Sequence, residues 1–233
     1  MSQNEPLCCL RECKISIMKI VILGASRGTG LSAVKQALTK GYDVTAIARN
    51  VTAIRQECPD SAEYARLKIS KGDVLYAPTF EHELEGADVV ISSIGVTGTK
   101  PTILYSTGMI NIIHAMYRYN VSRLICVSGI GVEVTPGMPF IMKLATKYML
   151  QPLLKNNFSD LLKMEALVKQ SQLNWTIVRA PRLKNGEITG KYRFAANEYL
   201  RNPLILRRSD LAHFMVNNID NKQVFCSRVE ISH

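Results

Sequence analysis

The chain has 233 residues, 47% of them hydrophobic and 21% charged, with a formal net charge of +10. That length and balance fit one globular α/β domain with a substantial core and exclude a disordered or fibrous chain. No apolar run reaches the roughly 18 residues of a membrane span, and the positive charge is spread without a lysine or arginine run, so it suits an anionic small molecule better than a nucleic acid.

Residues 1–17 read as an N-terminal extension without the apolar stretch of a signal peptide. Three of the six cysteines, Cys8, Cys9 and Cys13, fall in it, and the others are Cys58, Cys126 and Cys226. None forms a C-x-x-C pair, and "CCLREC" has no nearby histidine. The expectation is a cytoplasmic protein with no disulfide framework and no metal. From Met18 a single domain runs to residue 233. Strands are expected over 18–23, 43–48, 64–69, 87–92, 122–128 and 174–179. Helices are expected over 29–40, 51–57, 79–85, 102–119 and 157–171. Ile110, Ile113 and Met116 recur at helical spacing, as do Leu161, Met164, Leu167 and Val168. This alternation implies parallel pairing through right-handed crossovers. The expected fold is therefore α/β, a single Rossmann-type doubly wound parallel sheet with helices on both faces. The segment "MPFIMKLATKYMLQPLL" (138–154) reads as a helix lining or covering a substrate pocket, with Phe140 and Tyr148 as a wall for a flat ring. The alternative is a helix lying on a membrane surface. Beyond it, "EITGKYRFAANE" reads as a hairpin, followed by a helix over about 209–219 and a last strand near 223–231.

"VILGASRGTG" (21–30) follows the first strand and opens the first helix, the context that makes a glycine-rich string informative. Gly24 suits a tight turn. Gly28 or its neighbour lets backbone approach a diphosphate, and Gly30 lets the helix pack on the strand. The diphosphate would meet the helix N-terminus, with hydroxyls from Ser26 and Thr29 beside it. The second strand ends in "AIARN". An acidic residue there would bond the ribose 2′-OH of NAD, but Arg49 stands in its place. With Arg27 in the loop, it suits the 2′-phosphate of NADP(H). "GDV" places Asp73 and Val74 after the third strand, where Asp73 can bond the adenine amino group. "SSIG" brings Ser93, Ile94 and Gly95 to the end of the fourth strand, and Ser128 ends the fifth, on the crevice side of such a sheet.

Together with "STGMINIIHAM", "WTIVRAP", "TGKYR" and "RSDLAHFM", these stretches resemble the atypical short-chain dehydrogenase/reductases, the small NAD(P)H-binding, NmrA-like branch that includes flavin and biliverdin reductases. The resemblance runs from Met18 to about Phe214. It implies cofactor contacts at Gly24, Ser26, Arg27, Gly28, Thr29, Arg49, Asp73, Val74, Ile94, Gly95, Ser128 and Pro181. The tyrosine-dependent members carry Y-x-x-x-K after the fifth strand, where the lysine lowers the phenol pKa for proton exchange. Here only Tyr64 has a lysine four residues on, Lys68, and that pair precedes Asp73. Tyr148 has Pro152 instead. "FSDLLKMEAL" carries Asp160, Lys163 and Glu165 rather than histidines. The expectation is an NADPH-dependent reductase acting on a flavin-, quinone- or tetrapyrrole-like acceptor without a Tyr–Lys pair, with Ser128 positioning nicotinamide or substrate. The alternative is a non-enzymatic NADP(H)-binding redox sensor or assembly factor.

Overall fold

The computed structural model describes residues 17–233 except 97, 99, 135, 136 and 151–154. Cys8, Cys9, Cys13, Pro152 and nearly all of the expected extension lie outside the described residues. The first strand, β1 (Lys19–Leu23), shows why the chain forms layers. Its side chains alternate, so Ile20 and Ile22 enter one core while Val21 and Leu23 enter another. A strand buried on both faces reads as a continuous apolar run, as this one does. Helix α1 (Gly28–Thr39) covers the first face with Ala33, Val34 and Ala37. Helix α3 (Leu104–Arg118) covers the second with Met109, Ile112 and Met116.

The remaining parallel strands are β2 (Asp43–Ala48), β3 (Leu67–Lys71), β4 (Val89–Ser92), β5 (Arg123–Gly129), β6 (Asn174–Ala180) and β10 (Ser227–Ser232). With β8 (Arg193–Ala196) they form an eight-stranded sheet in the order β3-β2-β1-β4-β5-β6-β10-β8. Only the β8–β10 pairing is antiparallel. After β3 the chain crosses back over β1 to β4, and this reversal opens a crevice at the carboxyl ends of the strands. Helix α2 (Thr52–Glu57) follows β2. Helix α4 (Phe140–Ala145) follows β5 and continues as a π-helical turn over Thr146–Leu150. Helix α5 (Lys155–Gln170) packs beside α3, and α6 (Arg208–Asn217) packs on α1.

Several expectations change in detail. The third strand starts at Leu67, because residues Ala62–Tyr64 form a 3-10 turn. The expected helix over 79–85 is two 3-10 turns, Ala77–Thr79 and Glu81–Leu84, wrapped around buried Phe80. The hairpin over 187–198 does not form. The amide N–H groups of Thr189 and Gly190 donate to Asp210 Oδ1 at 2.7 and 2.9 Å, and the Thr189 hydroxyl donates to Oδ2 at 2.8 Å. That clip holds the "TG" of the first half against α6, and β8 pairs with β10 instead. A small second sheet, β7 (Arg182–Lys184) with β9 (Ile205–Arg207), is parallel and has no signal in the alternation.

Candidate functional site

The glycine turn is set by backbone contacts that only glycine tolerates. Gly24 has φ +80°, and a Cβ there would lie 2.6 Å from the Ser93 carbonyl oxygen. At Gly30 a Cβ would lie 2.2 Å from the Gly24 carbonyl oxygen, so the start of α1 sits directly on the turn. The Gly24 and Ala25 amides donate to the Ile47 carbonyl at 3.0 and 3.2 Å, which ties the turn to β2. Arg27 occupies the N-cap of α1 with an extended backbone and no side-chain capping bond, and the first turn holds no acidic residue. The leading N–H groups and the positive end of the helix dipole therefore face an opening without a side-chain acceptor, an arrangement that suits phosphate. The residues present fit a dinucleotide diphosphate.

A small open cleft of about 60 Å³ runs from this turn along the strand ends and is lined by Gly24, Arg49, Asp73, Val74, Ile94 and Gly95, among others. It draws together sequence positions from four separate βα junctions. Arg27 and Arg49 are exposed, and among the described residues neither forms an ion pair. Asp73 shapes its own loop. Its Oδ1 accepts from Leu75 N–H at 3.0 Å, and its N–H donates to Thr79 Oγ1 at 2.9 Å. The Asn111 side chain holds the next turn by donating to the Val74 carbonyl at 2.8 Å. Ser26 precedes α1 and Gly28 and Thr29 open it, all outside the lining of this cleft, and the Ser93 carbonyl closes against Gly24. Ser128 and Pro181 are at the ends of β5 and β6, outside the lining of this cleft.

Strand alternation turns Ser128 to the same face as buried Leu124 and Cys126. There its hydroxyl donates to Glu165 Oε1 at 2.7 Å. Glu165 is itself held by Arg179, from Nε at 2.8 Å and Nη2 at 2.6 Å. Arg179 also donates to Glu133 at 2.9 Å, and that contact holds the Glu133 carboxyl below its ordinary pKa. The Ser128 proton is thus committed to a buried carboxylate rather than aimed into the crevice. Asp160 is likewise internal, accepting from the backbone N–H of Tyr105 and of Ser106 at the start of α3. Lys163 is exposed on α5. Phe140 and Tyr148 are turned outward and neither lines the cleft, while Met138, just before the helix, and Thr146, in the π-helical turn, are buried.

One residue had no signal in the local pattern. Arg208, at the start of α6, lies across the glycine turn, with its Cδ 2.9 Å from where a Cβ on Gly28 would stand. Its Nη1 donates to Asn185 Oδ1 at 2.8 Å. The "RSDLAHFM" stretch marks a helix, but only the packing of α6 on α1 brings this cation to the turn.

Tyr64 sits before β3, at the end of the sheet opposite the crevice. Lys68 pairs with Glu83 at 2.6 Å. Burial, together with the neighbouring Glu63 carboxylate, pushes the Tyr64 phenol up, opposite to the shift an activated tyrosine needs. Tyr64→Phe is expected to keep turnover near wild type; a fall on the order of 100-fold in a folded variant, the scale of losing a general acid, would contradict this placement.

A parallel sheet with a glycine turn at its switch point and an arginine after β2 defines a Rossmann-type dinucleotide-binding fold. Residues 24–222 match the NAD(P)H-binding family, and the chain belongs to it. It is 29% identical over 186 residues to an uncharacterised chloroplastic protein of Arabidopsis thaliana, a match covering 77% of this chain and 64% of that one. The chain thus spans less than two thirds of that relative's length. A short-chain dehydrogenase/reductase of Veillonella parvula, solved in complex with NADP, is 19% identical with a TM-score of 0.76, covering 94% of this chain and 95% of its own. An oxidoreductase of Lactococcus lactis is 19% identical with a TM-score of 0.71, covering 93% and 91%. Among the described residues no helix is long and apolar enough to cross a membrane.

Proposed function

We propose that the protein is an NADPH-dependent reductase delivering hydride to a flat conjugated acceptor, of the flavin, quinone or tetrapyrrole kind, without a tyrosine–lysine proton donor. The observation that carries this reading is the position just after β2, where exposed Arg49 lines the cleft and no acidic residue takes the ribose position. In this reading Gly24, Gly28 and Gly30 admit the diphosphate, and Ser26 and Thr29 add hydroxyl donors. Arg49 and Arg27 hold the 2′-phosphate, while Asp73 and Val74 flank the adenine. Ser93, Ile94 and Gly95 support the nicotinamide half, with Ser128 and Pro181 behind it. Arg208 adds a cation on the diphosphate side. Bound NADPH supplies the hydride and its electron pair. The chain's share is orientation and exclusion of water.

Arg49→Ala is expected to weaken NADPH by about 1–3 kcal/mol, the scale of hydrogen bonds to charged groups, and to leave NADH nearly unchanged in a fluorescence titration. Equal losses for both would remove the 2′-phosphate assignment. The acceptor class is tested by NADPH oxidation with FMN, a quinone and a simple ketone side by side. A ketone develops alkoxide charge and needs a donor at that oxygen, whereas a conjugated acceptor spreads the charge. Flavin or quinone turnover should exceed ketone turnover. Brisk ketone reduction alone would overturn the mechanism, and binding without any turnover would favour a non-enzymatic sensor.

A further inference from the structure

The helical segment after β5 has two unlike sides. Met138 and Thr146 are 5% and 6% exposed, and the Thr146 hydroxyl donates to Met138 Sδ, so this side belongs to the domain. The other side is apolar and bare, with Phe140 74%, Ile141 78%, Leu144 42% and Tyr148 67% exposed. Four such side chains on one short helical stretch form a stripe, not scattered surface residues. Lys143 and Lys147 lie along it, and the Lys147 ammonium stands 5.4 Å from the centroid of the Tyr148 ring. No aspartate or glutamate occurs between Glu133 and Asp160. Within the segment itself, the stripe therefore offers apolar side chains and positive charge without a carboxylate.

We propose that residues 138–148 are a peripheral docking element for an anionic lipid bilayer. Phe140, Ile141 and Leu144 enter the boundary between headgroups and acyl chains. The Tyr148 ring stays at headgroup level, and the two lysines meet lipid phosphates. The segment follows the carboxyl end of β5, so docking turns the crevice side of the sheet toward the bilayer. The proposal does not depend on the reductase reading, because vesicle binding is measured without substrate.

The test is co-sedimentation of the full chain with phosphatidylcholine vesicles and with vesicles containing phosphatidylglycerol. Binding is expected to the second kind and to weaken with added salt. Ile141→Glu should abolish it. Lys143→Gln/Lys147→Gln should lower the partition coefficient by about 30-fold, the product of two surface lysines. Unchanged circular dichroism and NADPH affinity would show that both variants are folded. Wild-type protein that stays in solution with anionic vesicles would overturn the proposal, as would equal binding by Ile141→Glu. A dimer that Ile141→Glu dissociates, with no vesicle binding, would assign the stripe to a second copy of the chain and overturn it equally.

Discussion

Glu165→Ala is expected to destabilise the protein by about 3–5 kcal/mol, the scale of breaking a buried ion pair by removing one partner. Arg179 is 0% and Glu165 1% exposed. Removing the carboxylate takes away two charge-assisted bonds from the guanidinium and leaves Ser128 without its acceptor. Glu133, 47% exposed, is the partner that remains. Lys169, which contacts Glu165 at 3.6 Å, loses the same carboxylate and, being a cation, cannot replace it for Arg179. At roughly 2–4 °C per kcal/mol for a domain of this size, the melting temperature should fall on the order of 10 °C in a thermal scan. Glu165→Leu/Arg179→Met should recover much of the loss, because it removes both charges instead of stranding one. A single variant that melts within a degree or two of wild type would show the pair contributes little.

Gly30→Ala is expected to damage the cofactor seat most. A methyl group cannot sit 2.2 Å from the Gly24 carbonyl oxygen, so either α1 moves off the turn or the turn opens. Overpacking of this kind costs about 1–3 kcal/mol of stability. Displacing the first N–H groups of α1 from the diphosphate forfeits two charge-assisted bonds at about 1.5 kcal/mol each, on the order of 100-fold in affinity. Gly41→Ala is the comparison. Gly41 has φ +79° but nothing within 4 Å of its Cβ position, so strain alone should cost about 1 kcal/mol with cofactor affinity unchanged. A Gly30→Ala protein that binds NADPH like wild type would mean the turn does not seat the diphosphate.

The sheet was legible because each parallel strand is a short apolar run bracketed by helical spacing, and the glycine turn because its residues are consecutive. What escaped the sequence depends on contacts between distant segments. Arg208 is 180 positions from Gly28, and only the α1–α6 packing joins them. Residues 187–190 alternate like half a hairpin, yet the Asp210 carboxylate, a helix away, captures their amides. Ser128 was visible at a strand end, but its direction follows from the β5 alternation combined with Glu165 on α5. Phe140 and Tyr148 read as pocket wall because apolar content alone does not tell an inward face from an outward one.

The placement of β10 between β6 and β8 has a consequence for how the chain comes together during synthesis. Thr176–Arg179 of β6 pair with Ser227–Glu230, so the whole stretch 181–226 must be made before β6 gains its second neighbour. Until then the nascent domain presents an open edge strand beside α5, a template for pairing with another chain. Val229 and Ile231 are 0% exposed in the finished sheet, so these apolar positions are filled from a segment made well after β6. A ribosome-bound chain lacking residues 227–232 should accordingly be protease-sensitive along β6 and prone to self-association, and it should become resistant once that segment is free to insert.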